Sequence, residues 1–128
     1  MGLDITLKYK IENKDIWVNI EDIDEINTED CYFSITHNLG KIASIVGLYE
    51  PLWRPYKLKD SENEDIDIFA KDLIKAISDG LLKLEDKPEL ADIEPSNKWG
   101  TYIGLINFTK RYLKCLKNNP DAKVFVSR

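Results

Sequence analysis

The chain has 128 residues, with 18 Lys and Arg against 23 Asp and Glu, a formal net charge of −5 and 43% apolar residues. A domain of that length removes roughly two-thirds of its unfolded surface from water, so its core requires neither a metal nor a disulfide, and the negative balance works against non-specific binding to phosphate backbones. No apolar run approaches the roughly 20 residues that span a bilayer, and Met1-Gly2-Leu3-Asp4 has no basic or apolar leader character. The expectation is one cytoplasmic domain over residues 1–128, without nucleic-acid or membrane partners and with Cys31 and Cys115 reduced.

Leu3, Ile5, Leu7, Tyr9 and Ile11 alternate with Asp4, Thr6, Lys8, Lys10 and Glu12, the period of two that marks a half-buried strand. Ile16, Val18 and Ile20 repeat the pattern after Glu12-Asn13-Lys14-Asp15, which predicts an antiparallel hairpin. Residues 21 to 30 are densely acidic and read as a solvated loop. They lack the glycine of a calcium loop.

Tyr32 to Thr36 reads as extended and leads into a helix predicted from Asn38 to Tyr49, capped by Thr36, His37 or Asn38. Gly40, Ala43 and Gly47 form a second, small-residue stripe on that helix. Glycine inside a helix costs about 1 kcal/mol relative to alanine, so the stripe points to a close neighbour. Pro51 and Pro55 bracket Trp53-Arg54 and predict an irregular stretch over 52–58.

Ser61-Glu62-Asn63-Glu64 has capping-box spacing and predicts a second helix from Ile66 to Leu84, with Ile66, Phe69, Ala70, Leu73, Ile77, Leu81 and Leu84 inward. After a linker from Pro88 to Pro95, a third helix is predicted from Gly100 to Lys117. Gly100 and Gly104 are expected to pack against the glycines of the first helix. Val124, Phe125 and Val126 follow Asn119-Pro120-Asp121 and predict a last strand beside the hairpin. The fold class is α+β, a small antiparallel sheet against about three helices.

Polar and aromatic residues cluster where these helices start or stop. Thr36, His37 and Asn38, then Trp53 and Arg54, then Asn97, Trp99, Thr101 and Tyr102 combine directional hydrogen-bonding groups with flat surfaces, as a ligand pocket requires. Two converging helix starts would favour an anion, and Arg54, one of the few arginines, would clamp it. Trp53, Trp99 and Tyr102 would stack on a ring. The ligand predicted is small, anionic and nucleotide-like, and a pocket shared between subunits would make the protein a homo-oligomer.

Simpler roles exist for each residue: His37 as a cap, Trp53 as core, Arg54 in a surface pair, the glycines as helix packing. No zinc spacing, phosphate loop or nucleophile motif is present, so neither a metal nor a cofactor is expected. A nucleotide-acting hydrolase or transferase with His37 as general base lacks a nucleophile. A third reading, an acidic interaction module using residues 21–30 and 60–67, has only modest charge behind it.

Ser34-Ile35-Thr36-His37-Asn38-Leu39-Gly40-Lys41-Ile42-Ala43, then Leu48-Tyr49 with Leu52-Trp53-Arg54-Pro55, then Trp99-Gly100-Thr101-Tyr102, and Cys115 with Pro120-Asp121-Ala122 and Val126-Ser127-Arg128 resemble a group of small bacteriophage-encoded proteins of unassigned function. The resemblance spans most of residues 32 to 128 and implies no established chemistry. This chain is longer through its acidic 12–30 segment. Small phage proteins without enzymatic motifs often counter host defence, and capture of a nucleotide immune signal in the infected cell's cytoplasm is one way.

Overall fold

The computed structural model describes residues 2–10, 17–19, 32–94 and 100–128. It shows an α+β fold with a small antiparallel sheet. The strands are β1 (Gly2–Lys10), β2 (Trp17–Asn19), β3 (Tyr32–Thr36) and β4 (Lys123–Ser127). β1 is central: Thr6 is opposite both Tyr32 and Phe125, and Lys8 is opposite both Asn19 and Lys123. β4 therefore lies on one side of β1, and β3 and β2 lie end to end on the other. The alternation in β1 has its expected consequence, since Leu3, Ile5 and Leu7 are fully buried and their neighbours only half so.

The helices are α1 (Gly40–Ile45), α2 (Tyr49–Trp53), α3 (Ala70–Glu85) and α4 (Tyr102–Asn118), with 3-10 turns at His37–Leu39, Pro55–Lys59 and Pro88–Ile93. The single helix predicted over 38–49 is broken at Gly47, whose φ of 78° is the left-handed conformation that ends helices. Gly47 is a stop, not part of a packing stripe. Pro51 does not prevent α2, because it occupies the first turn, where a missing N–H breaks no intrahelical bond.

α3 starts at Ala70, four residues later than predicted. Ser61 caps nothing helical and instead accepts from the Asn63 N–H within a turn; the working capping interaction is Asp72 Oδ2 accepting from the Phe69 N–H at 2.9 Å. Residues before α3 run extended beside β4, with Val124 N–H donating to Ile68 O and Ala70 N–H to Ala122 O, both at 2.8 Å. α4 starts as expected, with Thr101 Oγ1 accepting from the Gly104 N–H. α3 and α4 are antiparallel, because the Tyr102 hydroxyl donates to Leu84 O at one end and the Lys71 N–H to Pro120 O at the other.

Leu73, Ile77, Leu84, Leu105, Phe108 and Leu116 form a core with the inner face of β1 and β3. Phe33 on β3 packs edge-on to Phe108 and tilted to Tyr112. The Tyr112 hydroxyl is fully buried without a hydrogen-bond partner among the described residues, and burial raises its pKa far above the ordinary phenol value. An unmet buried hydroxyl forfeits its water contacts for nothing. Tyr112→Phe is therefore expected to raise stability by about 1–2 kcal/mol in urea unfolding; a loss would mean that a bound water satisfies the hydroxyl.

Cys115 is disulfide-bonded, which corrects the expectation of reduced thiols. Cys31, the hairpin loop at 12–15, Ile16, Ile20 and the acidic 21–30 stretch lie outside the described residues. Among the described residues no helix is long and apolar enough to cross a membrane.

Candidate functional site

Thr36 ends β3 in extended conformation and accepts from the Asn38 N–H, turning the chain so that His37 points at α2. There the Trp53 indole N–H donates to His37 Nδ1 at 2.7 Å. An indole can only donate, so Nδ1 is the acceptor and a neutral His37 carries its proton on Nε2. The Nδ1 lone pair is thus engaged by Trp53. Trp53 is only 2% exposed, and its ring stacks on Tyr49, one helical turn earlier, with centroids 5.3 Å apart and planes 13° apart.

The start of α4 reaches the same neighbourhood, but not by glycine against glycine. Gly40 faces the Tyr49 ring and Gly104 faces Thr101. Gly100 makes the close approach: a Cβ there would lie 2.6 Å from Thr36 Cγ2 and 2.8 Å from Leu39 Cγ. Tyr102, expected to offer a stacking face, is 4% exposed, and its hydroxyl is spent on Leu84 O. Trp53 is likewise core and presents little face to solvent. Thr101 is an exposed cap and Asn38 is exposed, while Asn97 and Trp99 lie outside the described residues. With α1 six residues long, the predicted pair of helix starts gives way to another arrangement.

That arrangement comes from the extended chain beside β4. Phe69 bridges Lys123 and the Val124 N–H donates to Ile68 O, while the turn just before them, in which the Ile66 N–H donates to Asn63 O, carries Glu64 to Arg128. The Arg128 Nη2 and Glu64 Oε1 do form an ion pair. The same Oε1 accepts from the Tyr56 hydroxyl at 3.1 Å and from Arg54 Nη1 at 3.4 Å, and Arg54 Nη1 also donates to the Tyr56 oxygen at 2.9 Å. Two guanidiniums and a phenol thus converge on one carboxylate oxygen.

Behind this cluster is a cavity of about 150 Å³, walled by Trp53, Pro55, Ile66, Ile68, Val124 and Val126, with Tyr56, Glu64, Asp65 and Arg128 completing its lining. A wider groove of about 430 Å³ between the α1–α2 turn and α3 has Ser44, Glu50, Asp79 and Lys83 among its walls, polar groups of mixed sign without such convergence.

The Arg128 hydrogen bond, then that of Tyr56, hold the Glu64 carboxyl below its ordinary value of 4.5. Hydrogen bonds to Tyr56 and Tyr49 raise the already high pKa of Arg54. A carboxyl with a depressed folded-state pKa adds stability that is complete above its unfolded value and drains away as pH falls through the folded one. The melting-temperature advantage of the wild type over Glu64→Gln is therefore expected at neutral pH, narrowing below pH 4.5. Equal narrowing with rising pH would contradict the ion pairing. The gap should be small, because both partners are partly exposed.

Much of the 60–67 acidic run is neutralised within the chain. Glu62 pairs with Lys57, Glu64 with both arginines, and Asp67 with Lys123. Among the described residues no group of three His, Cys, Asp or Glu is arranged to hold a metal ion.

Of the residues singled out from sequence, Arg54 and Trp53 belong to this cluster. Tyr56, Glu64 and Arg128 were missed. No local signal marked the last two, because Glu64 lies in a turn and meets Arg128 only through the fold. The fold and site together define an α+β domain in which two arginines and a tyrosine meet on one carboxylate. No protein-family model, curated protein or solved structure matches the chain.

Proposed function

We propose that this protein binds a small anionic molecule at Arg54 and Arg128 and holds it without turnover. The observation that carries the reading is the convergence of both guanidiniums and the Tyr56 hydroxyl on one oxygen beside a small cavity. Arginine suits this role because its planar fork stays charged and matches oxyanions. The setting that the phage resemblance implies is capture of a nucleotide-derived immune signal in the cytoplasm of an infected bacterium, by a homo-oligomer. In that reducing setting, burial of the Cys115 side chain would shield its disulfide from cellular thiols.

Calorimetric titration with cyclic and ADP-ribose-type nucleotides, alongside simple oxyanions, tests this. Arg128→Ala is expected to weaken whatever binds by about 1.5–3 kcal/mol, the value of a hydrogen bond to a charged group, and the ligand should be recovered intact. Binding that survives Arg54→Ala/Arg128→Ala, or no binding by any compound, would overturn the proposal. Recovery of altered ligand would favour an enzyme instead.

A further inference from the structure

From the same cluster we infer that Glu64 is a built-in substitute for the ligand's anion, and that the ligand carries an oxyanion, carboxylate or phosphate. This rests on the reading that Arg54 and Arg128 hold an anion.

The donor set is complete and already in use. Glu64 Oε1 takes hydrogen bonds from Arg54, Tyr56 and Arg128, and three donors on one oxygen is the coordination that an incoming oxyanion would need. Arg54 and Tyr56 are two residues apart, and Arg128 joins them from the far end of β4. Glu64 itself is half exposed and stands on the stretch between the 3-10 turn and the extended run beside β4. Tyr56, by contrast, is buried, so the phenol is a fixed part of the site and the carboxylate the part free to leave.

Size limits what else of the ligand can enter. The cavity of about 150 Å³ is well below the roughly 300 Å³ at which pockets for larger ligands begin. Its exposed lining is mostly polar, although Trp53, Pro55, Ile66 and Val126 stand in its walls. Anything larger, including most of a nucleotide, would stay outside with only one end inserted.

Charge explains why Glu64 acts as a competitor. Arg54 and Arg128 both pair with the single charge of Glu64. Removing that charge takes it from both guanidiniums, with all donors in place. A residue serving only to position the arginines would have the opposite effect, because its loss would disorder them and weaken binding.

Wild-type, Glu64→Gln, Arg128→Ala and Glu64→Gln/Arg128→Ala chains would be titrated calorimetrically with benzoate, phenyl phosphate and inorganic phosphate, with a thermal melt of each to confirm folding. Glu64→Gln is expected to bind benzoate and phenyl phosphate about tenfold more tightly than the wild type, since a like charge beside a bound anion opposes it. The gain should vanish when Arg128→Ala is added. Glu64→Ala is a second neutral variant should the amide fold poorly.

Unchanged or weaker binding by a folded Glu64→Gln chain, with measurable binding by the wild type, would sink the substitution idea and leave the anion site standing. A gain that persists without Arg128 would place the anion elsewhere and sink it too. No binding of any probe by either chain would overturn the anion site itself.

Discussion

Gly100→Ala is expected to lower stability by about 2–5 kcal/mol, combining the cost of a left-handed backbone for a residue with a Cβ with that of overpacking a full core. Gly100 has φ 99°, and its new methyl would be forced against Thr36 Cγ2 and Leu39 Cγ. Leu39 is 1% exposed and cannot step aside. Gly47 supplies the control, since it also has positive φ but a Cβ there meets nothing within 4 Å. Gly47→Ala should therefore show only the backbone part, about 1–2 kcal/mol. Denaturant unfolding of both variants checks this. Equal losses would mean that the contact of Gly100 with Thr36 and Leu39 is not tight, and that the start of α4 is not braced against the end of β3.

Trp53→Ala should cost about 3–5 kcal/mol, the range for deleting a large buried aromatic, from a total that for domains of this kind is about 5–15 kcal/mol. The indole fills core space, stacks on Tyr49 and donates to His37. Trp53→Phe separates these roles. It keeps most of the apolar volume and loses the hydrogen bond, and since His37 is only half buried, water can replace the lost donor. A loss of about 1–2 kcal/mol is expected for Phe. If Trp53→Ala unfolds at the wild-type denaturant midpoint, Trp53 is not the hub joining the Thr36-His37-Asn38 turn to the Leu52-Trp53-Arg54-Pro55 stretch.

Periodic, local signals were legible. β1 alternates so strictly that Leu3, Ile5 and Leu7 could be placed inside, and the apolar stripes of α3 and α4 follow their spacing from Ala70 and Tyr102 onward. Breaks and pairings were not. Gly47 looks the same in a sequence whether it packs inside a helix or ends one, and the deciding fact is its φ. Ser61 to Glu64 has the spacing of a capping box, yet the following Ile66 and Ile68 alternate like a strand, and pairing with β4 settles the conflict.

The candidate site shows the same division. Two contacts link the aromatic and polar clusters, His37 with Trp53 and Gly100 with Thr36. Composition cannot tell a stacking surface from a core indole, and Trp53 and Tyr102 are buried. The meeting of Arg54 and Arg128 on Glu64 joins segments more than fifty residues apart. No local pattern encodes that contact, although it joins two of the motifs on which the phage resemblance rests.

The measurement closest to the central claim follows the arginine side chains themselves. The chain has only Arg54, Arg111 and Arg128, and Arg111 lies over the Phe33 ring, apart from the cluster, as an internal control. In a ¹⁵N-labelled sample titrated with phenyl phosphate, the Nε–H signals of Arg54 and Arg128 are expected to move saturably and together while Arg111 stays still. Movement of all three in proportion to added salt, or no movement at Arg54 and Arg128, would contradict an anion site at Glu64.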